Sequence, residues 1–228
     1  MKISFLVILA LLMNTCTNRE VGTDADSDST KINTILKHDT IFINNQDKDW
    51  QEGFNLTHDP ETDTIWNKPV QYYLADENCS GLASDFYYGL LKPSDDGVTE
   101  ELLKLVITDN NKLRPFYRWC LNKTIAVQDG ALSELTGIPA RRYAEKYPQE
   151  FFEYMDIDTS GNKLNDWVSS ISYSGFYDAD DYKKPKIIQQ RMAQVMKKNC
   201  KNCEAKIIKR IDEFTKECFN EANSLILQ

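Results

Sequence analysis

The sequence predicts a mainly α-helical fold: an irregular helical stack or bundle, with a C-terminal helical hairpin and a short irregular or β-hairpin N-terminal arm. Three observations predict it. From about Val70 onward, apolar residues recur at three- and four-residue steps. β-Prone runs are short and confined to the chain before that point. Pro93, Pro115, Pro139 and Pro148 then punctuate the helical stretch, which makes the helices short and their breaks tight. No repeat of fixed period is present, which argues against a solenoid.

The elements follow in order. Met1-Lys2 gives a small positive start, and residues 3–13 (ISFLVILALLM) form an unbroken apolar run too short to span a bilayer as a helix. Met13-Asn14-Thr15-Cys16 comes next, and polar chain begins at once. These first 16 residues resemble the lipobox signal of bacterial lipoproteins, although Thr15 stands where Gly, Ala or Ser is usual. The resemblance implies a signal peptide at 1–15, cleavage before Cys16 and a diacylglycerol on the Cys16 thiol. It also implies a lipid-anchored place in the cell envelope, on the outer membrane of a Gram-negative bacterium, facing the periplasm or the surface. The alternative is ordinary secretion, with cleavage after Thr17. Residues 16–30 are polar, acidic and poor in large apolar side chains, as expected of a lipidated, disordered tether.

Residues 31–228 read as a single domain whose arm, 31–70, is irregular. Asp39-Thr40-Ile41-Phe42-Ile43 and Thr62-Asp63-Thr64-Ile65-Trp66 are β-prone; they pair as a hairpin or lie extended over the helical body. Leu82, Phe86, Leu90 and Leu91 fit a short helix ended by Pro93. Thr99 is the expected N-cap of the next helix, with Leu102, Leu103, Val106 and Ile107 inside. The clearest stripe is Leu113, Phe116, Tyr117, Cys120, Leu121, Thr124 and Ile125, one face of one helix, with Pro115 in its first turn. On that spacing Arg114, Arg118 and Lys123 stand wetter, or Arg118 is held in a buried network with a carboxylate. Asp129 is expected to cap a helix that Gly137 and Pro139 interrupt. Pro139 and Pro148 then each open a short helix. Ile188, Met192, Val195 and Met196, then Ile207, Ile211, Phe214, Cys218, Ala222 and Leu225, line the two arms of the closing hairpin.

Composition narrows function. The chain carries a net charge of −8, which argues against nucleic acid as a partner. Two regions run against that sign, 112–146 and 183–201. They read as solvated helix faces or as contacts for an anionic partner, with Arg114, Arg118 and Trp119 the sharper local candidate. With Cys16 set aside for lipid, five of six cysteines remain. Cys200-x-x-Cys203 lies between helices without a βαβ pattern, so it reads as a structural disulfide or two thiols at a turn, rather than a redox or zinc motif. Cys218 lies about 22 Å beyond Cys203 along a helix, too far to pair with it.

Two further segments carry possible chemistry. Asp156-Ile157-Asp158-Thr159-Ser160-Gly161-Asn162 resembles the opening of an EF-hand calcium loop, but its twelfth place holds Trp167 instead of a bidentate Glu. A turn rich in Asp, Ser and Gly is the simpler reading, and no metal site is expected. Tyr173, Tyr177, Asp178, Asp180 and Asp181 combine aromatic faces with carboxylates, as a sugar or cation site would, or as an aromatic anchor under an acidic loop would. The two histidines, His38 and His58, sit in the irregular arm, and no nucleophile elbow, zinc-protease helix, P-loop or dinucleotide fingerprint occurs. No cofactor is implied. The expected role is a non-enzymatic interaction module with a protein partner. The alternatives are a glycan binder, through 173–182 or through Trp50 and Trp66, and a carboxylate-based hydrolase.

Overall fold

The structure, a computed structural model, describes residue 61 and residues 64–180 and 184–219. The lipobox, the tether, most of the arm, both histidines, Asp181, Ala222 and Leu225 lie outside the described residues. Within them the chain is mainly helical: two short strands, nine α-helices and one 3-10 turn.

The arm ends in a miniature hairpin. Strands β1 (Thr64–Ile65) and β2 (Lys68–Pro69) pair antiparallel, with Ile65 opposite Lys68. Their turn residues Trp66 and Asn67 both take positive φ, at 50° and 58°, the backbone of a tight primed turn. So the 64–65 run pairs with the residues just after it, and the 39–43 run lies outside the described residues. Trp66 bears the left-handed backbone because its N–H is held by Glu61 Oε1 at 2.7 Å.

Helices α1 (Gln71–Leu74) and α2 (Gly81–Tyr87) follow. Gly89, at φ 72°, ends α2 well before Pro93 and leaves Leu90 58% exposed, so Leu90 and Leu91 are not part of that helix. The cap of α3 (Gly97–Lys104) is Asp96, not Thr99: Asp96 Oδ1 accepts from Thr99 N at 2.8 Å. Thr99 is buried, and its hydroxyl oxygen accepts from Ser94 N, two residues before the cap, which ties the incoming chain to the first turn. A 3-10 turn over Leu105–Ile107 leads out of α3.

Helix α4 (Arg114–Val127) starts with Pro115 in its first turn and buries the whole predicted stripe. It also buries Arg114, Arg118, Asn122 and Lys123, contrary to the expectation of a wet basic face. The reason is position. Helix α4 is central and packs on α2, α3 and β1 as well as α5 (Ser133–Lys146) and α7 (Asn162–Ser174), so it has no solvent side.

Helix α5 runs through Gly137 and Pro139 without the expected break. Its packing against α7 explains this. Gly137 N donates to Ser174 Oγ at 3.1 Å, and a Cβ at 137 would collide with the Ser170 carbonyl and the Ser174 hydroxyl. The close approach that Gly137 permits outweighs the local cost of Pro139. Asp129 caps the turn leading into α5, accepting from Leu132 N at 3.0 Å.

Pro148 opens α6 (Pro148–Met155) as expected. Asp158 closes the calcium-like loop on itself. One oxygen accepts from Ser160 N and Oγ, the other from Lys163 N, while Asp156 pairs with Arg210. The loop is a cap for α7, and no cluster of three or more potential metal ligands occurs among the described residues. The chain closes as a hairpin of α8 (Pro185–Asn199) and α9 (Ala205–Cys218), joined at the turn by a Cys200–Cys203 disulfide with a Cα separation of 5.2 Å. Cys79, Cys120 and Cys218 are free thiols, the last two buried, and burial raises both well above the usual thiol range.

Candidate functional site

Arg114, Arg118 and Trp119 do not form a charged surface. The two arginines meet inside the molecule around a carboxylate 32 to 36 residues further on. Arg114 grips Glu150 through Nε at 3.0 Å and Nη2 at 2.8 Å, and its guanidinium lies 3.9 Å over the Tyr147 ring. Burial alone would lower the Arg114 pKa, but the bonds to Glu150 and its charge carry it upward. Arg118 is fully buried. Its Nη1 donates to Tyr143 Oη at 3.1 Å and to Glu150 Oε1 at 3.3 Å, and its plane rests 3.8 Å from Tyr154 and 4.4 Å from Trp66. Tyr143 in turn donates to Glu150 Oε1 at 2.9 Å. Trp119 is buried and gives its indole N–H to the Glu61 carbonyl. Glu150 thus answers two arginines and a tyrosine. Nothing local in the sequence marks it; it is one of two acids on α6.

The second group lies elsewhere. Asp178 is bound by Arg141 Nη2 at 2.9 Å and by Arg142 Nη2 at 2.8 Å. The two basic side chains come from the 112–146 region, so part of that region neutralises the acidic loop. Beneath them Glu145 is pushed upward in pKa by burial, against the pull of Arg141. Tyr177 is 46% exposed; Tyr173 is half-buried, with ring centres 6.5 Å apart. Asp180 is exposed, and Asp181 lies outside the described residues.

Asp178 and Arg142 stand on the rim of a pocket of about 290 Å³. Its floor is apolar: Ile107, Leu135, Ile138 and Pro139. Its rim is charged. Glu100 and Lys104 form an i,i+4 pair at 2.8 Å on one side; Arg142 and Asp178 form the other, with Glu134 beside them. Tyr177 immediately precedes Asp178 in the chain, and burial raises its hydroxyl pKa, with smaller pushes from Tyr173 and Glu134. Pro139 has no N–H to give to the Leu135 carbonyl, so at this pocket the helical ladder leaves an acceptor that residue 139 does not pair. Tyr173 borders a different groove of about 480 Å³, where Gln128, Asp129, Ser133 and Ser169 also lie.

Comparison of the chain with protein families, with curated proteins and with solved structures finds no match.

Proposed function

We propose that this chain is an envelope-anchored lipoprotein that acts as a binding module for a protein partner, docking at the pocket between α3 and α5. The observation that carries the reading is the pocket's make-up: an apolar floor the size of one large side chain, ringed by charges of both signs, with exposed Tyr177 next in the chain to Asp178 of the rim. A desolvated anchor pocket inside a polar rim is how a few side chains come to dominate a protein interface. The partner surface it fits presents an aliphatic or aromatic side chain flanked by charges of both signs, since the rim carries both. A hydrolase is less well supported by the carboxylate at the heart of the molecule: Glu150 is engaged by Arg114, Arg118 and Tyr143. The anchor is Cys16, at the end of the apolar run 3–13.

The test is site-directed photo-crosslinking of the full chain in its native envelope. A crosslinker at Leu135 should give one discrete protein adduct, and Ile138→Glu or Arg142→Glu should abolish it. A crosslinker at exposed Lys206 on α9 should give none. Equal labelling at both positions, or an adduct that survives both variants, would reject the docking site. In the same cells Cys16→Ser should move the protein from the detergent phase to the aqueous phase; a wild type already aqueous would reject the anchor.

A further inference from the structure

A larger cleft lies away from the docking pocket, where the start of α4, the end of α5, the start of α6 and the α8–α9 turn converge. It measures about 650 Å³, within the range of small-molecule sites. Three properties describe what it would hold.

Most of its charges are matched within the protein, and the two others in its lining, Glu153 and Lys201, are of opposite sign. Arg114 is bound to Glu150 at 2.8 Å, and Lys146 to Asp109 at 2.8 Å. The bond from Lys146 holds the Asp109 carboxyl below its ordinary value. Little field remains to select an ion of either sign. Amides line it instead: Asn111, Gln149, Asn199 and Asn202, all exposed. Gln149 Nε2 gives one hydrogen to Glu153 Oε1 at 2.9 Å, which orients its carbonyl and its second N–H. An amide both donates and accepts, as a hydroxyl does, so a row of amides complements a row of hydroxyls.

Trp66 supplies an aromatic wall. Arg118, fully buried, lies 4.4 Å from the ring, and Trp66 borders the cleft. A ring backed by a fixed cation is a rigid surface for the C–H face of a sugar. The cleft is also held in shape on two sides: by the Glu150 network below, and by the Cys200–Cys203 disulfide, whose two residues form part of the opposite wall. Such pre-organisation lowers the ordering cost of binding.

We propose that this cleft binds a neutral, hydroxyl-rich ligand of the carbohydrate class, stacked on Trp66 and hydrogen-bonded by Gln149, Asn111 and Asn202. This site is independent of the α3–α5 pocket, and either can fail without the other.

The test uses the full chain carrying Cys16→Ser, applied to an array of neutral and anionic glycans, with the best neutral glycan then titrated by intrinsic tryptophan fluorescence. At least one neutral oligosaccharide should bind and perturb the emission. Gln149→Ala and Asn202→Ala, both at exposed positions that should fold normally, should each weaken it about fivefold, the net worth of one hydrogen bond. Lys206→Ala, at an exposed position on α9 outside the cleft, should leave the affinity unchanged. The proposal is overturned by an array on which no neutral glycan binds, by a preference for anionic glycans, or by wild-type affinity in both amide variants.

Discussion

Arg118 is the residue on which sequence and structure pull hardest against each other. A residue step of 100° sets it away from the apolar stripe of α4, which suggests a solvated charge. The fold encloses it completely, between the rings of Trp66 and Tyr154 and against Glu150. Removing one partner of a buried ion pair leaves the other uncompensated, so Arg118→Ala should cost about 3–5 kcal/mol, against less than about 0.5 for a surface arginine. Urea unfolding of that variant decides the matter; a surface-like cost would mean the network contributes little. The sequence allowed for a buried network at Arg118 but not for its members. Tyr143 and Glu150 stand 25 and 32 residues away, on helices whose packing no local pattern encodes. Tyr73 offers a check by pH. Burial, reinforced by the charge of Glu61, raises its hydroxyl from 10.0 to about 12, and it donates to the Ile65 carbonyl at 2.7 Å. Between those values the folded chain holds a proton that the unfolded chain has lost, so stability falls as pH rises from 10.0 towards about 12. Tyr73→Phe, which cannot ionise, should flatten that decline in thermal melts taken across the same range; an unchanged slope would assign the decline to other groups.

At the scale of the element, the apolar periods located the helices well and their ends less well. The stripe from Leu113 to Ile125 is one buried face of α4, and Pro115 and Pro148 sit in first turns. Breaks were harder to read, because a break is decided by what lies opposite. Gly89 ends α2 through a backbone state that only tertiary context reveals beside the more conspicuous Pro93. Gly137 and Pro139 look like a stop signal, yet α5 continues because α7 packs against it at backbone distance. This makes a signed prediction. Replacing Gly by Ala inside a helix ordinarily stabilises by about 0.4–1 kcal/mol. At Gly97, in the first turn of α3, an added Cβ meets nothing within 4 Å, and Gly97→Ala should show that gain. At Gly137 the same change drives a methyl into the Ser170 carbonyl and should destabilise by about 1–3 kcal/mol. Chemical denaturation of the pair tests the α5–α7 contact directly: a gain at both positions would show that the helices are not so close.

For the whole molecule, the question is whether its two apolar cores act as one. One core gathers Leu102, Phe86, Phe116 and Trp119; the other gathers Trp167, Phe151, Met192 and Phe214. Sequence periodicity marks both sets as apolar but does not say which residues meet, since every helix shows only its own face. The structure supplies two links. Helix α4 gives Phe116 and Trp119 to the first core and Leu121 and Ile125 to the second, and Trp66 packs against both. One rigid helix cannot lose half its packing and keep the rest, because the exposed half would leave buried groups such as Arg118 open to water while still in place. Unfolding is therefore expected in a single transition, with calorimetric and van't Hoff enthalpies equal. Leu102→Ala in the first core and Met192→Ala in the second should each cost about 2–5 kcal/mol. Both should lower the same midpoint by about 2–4 °C per kcal/mol, without splitting the peak. Two separated transitions, one moved by Leu102→Ala and the other by Met192→Ala, would show that α4 joins the cores in space without coupling them.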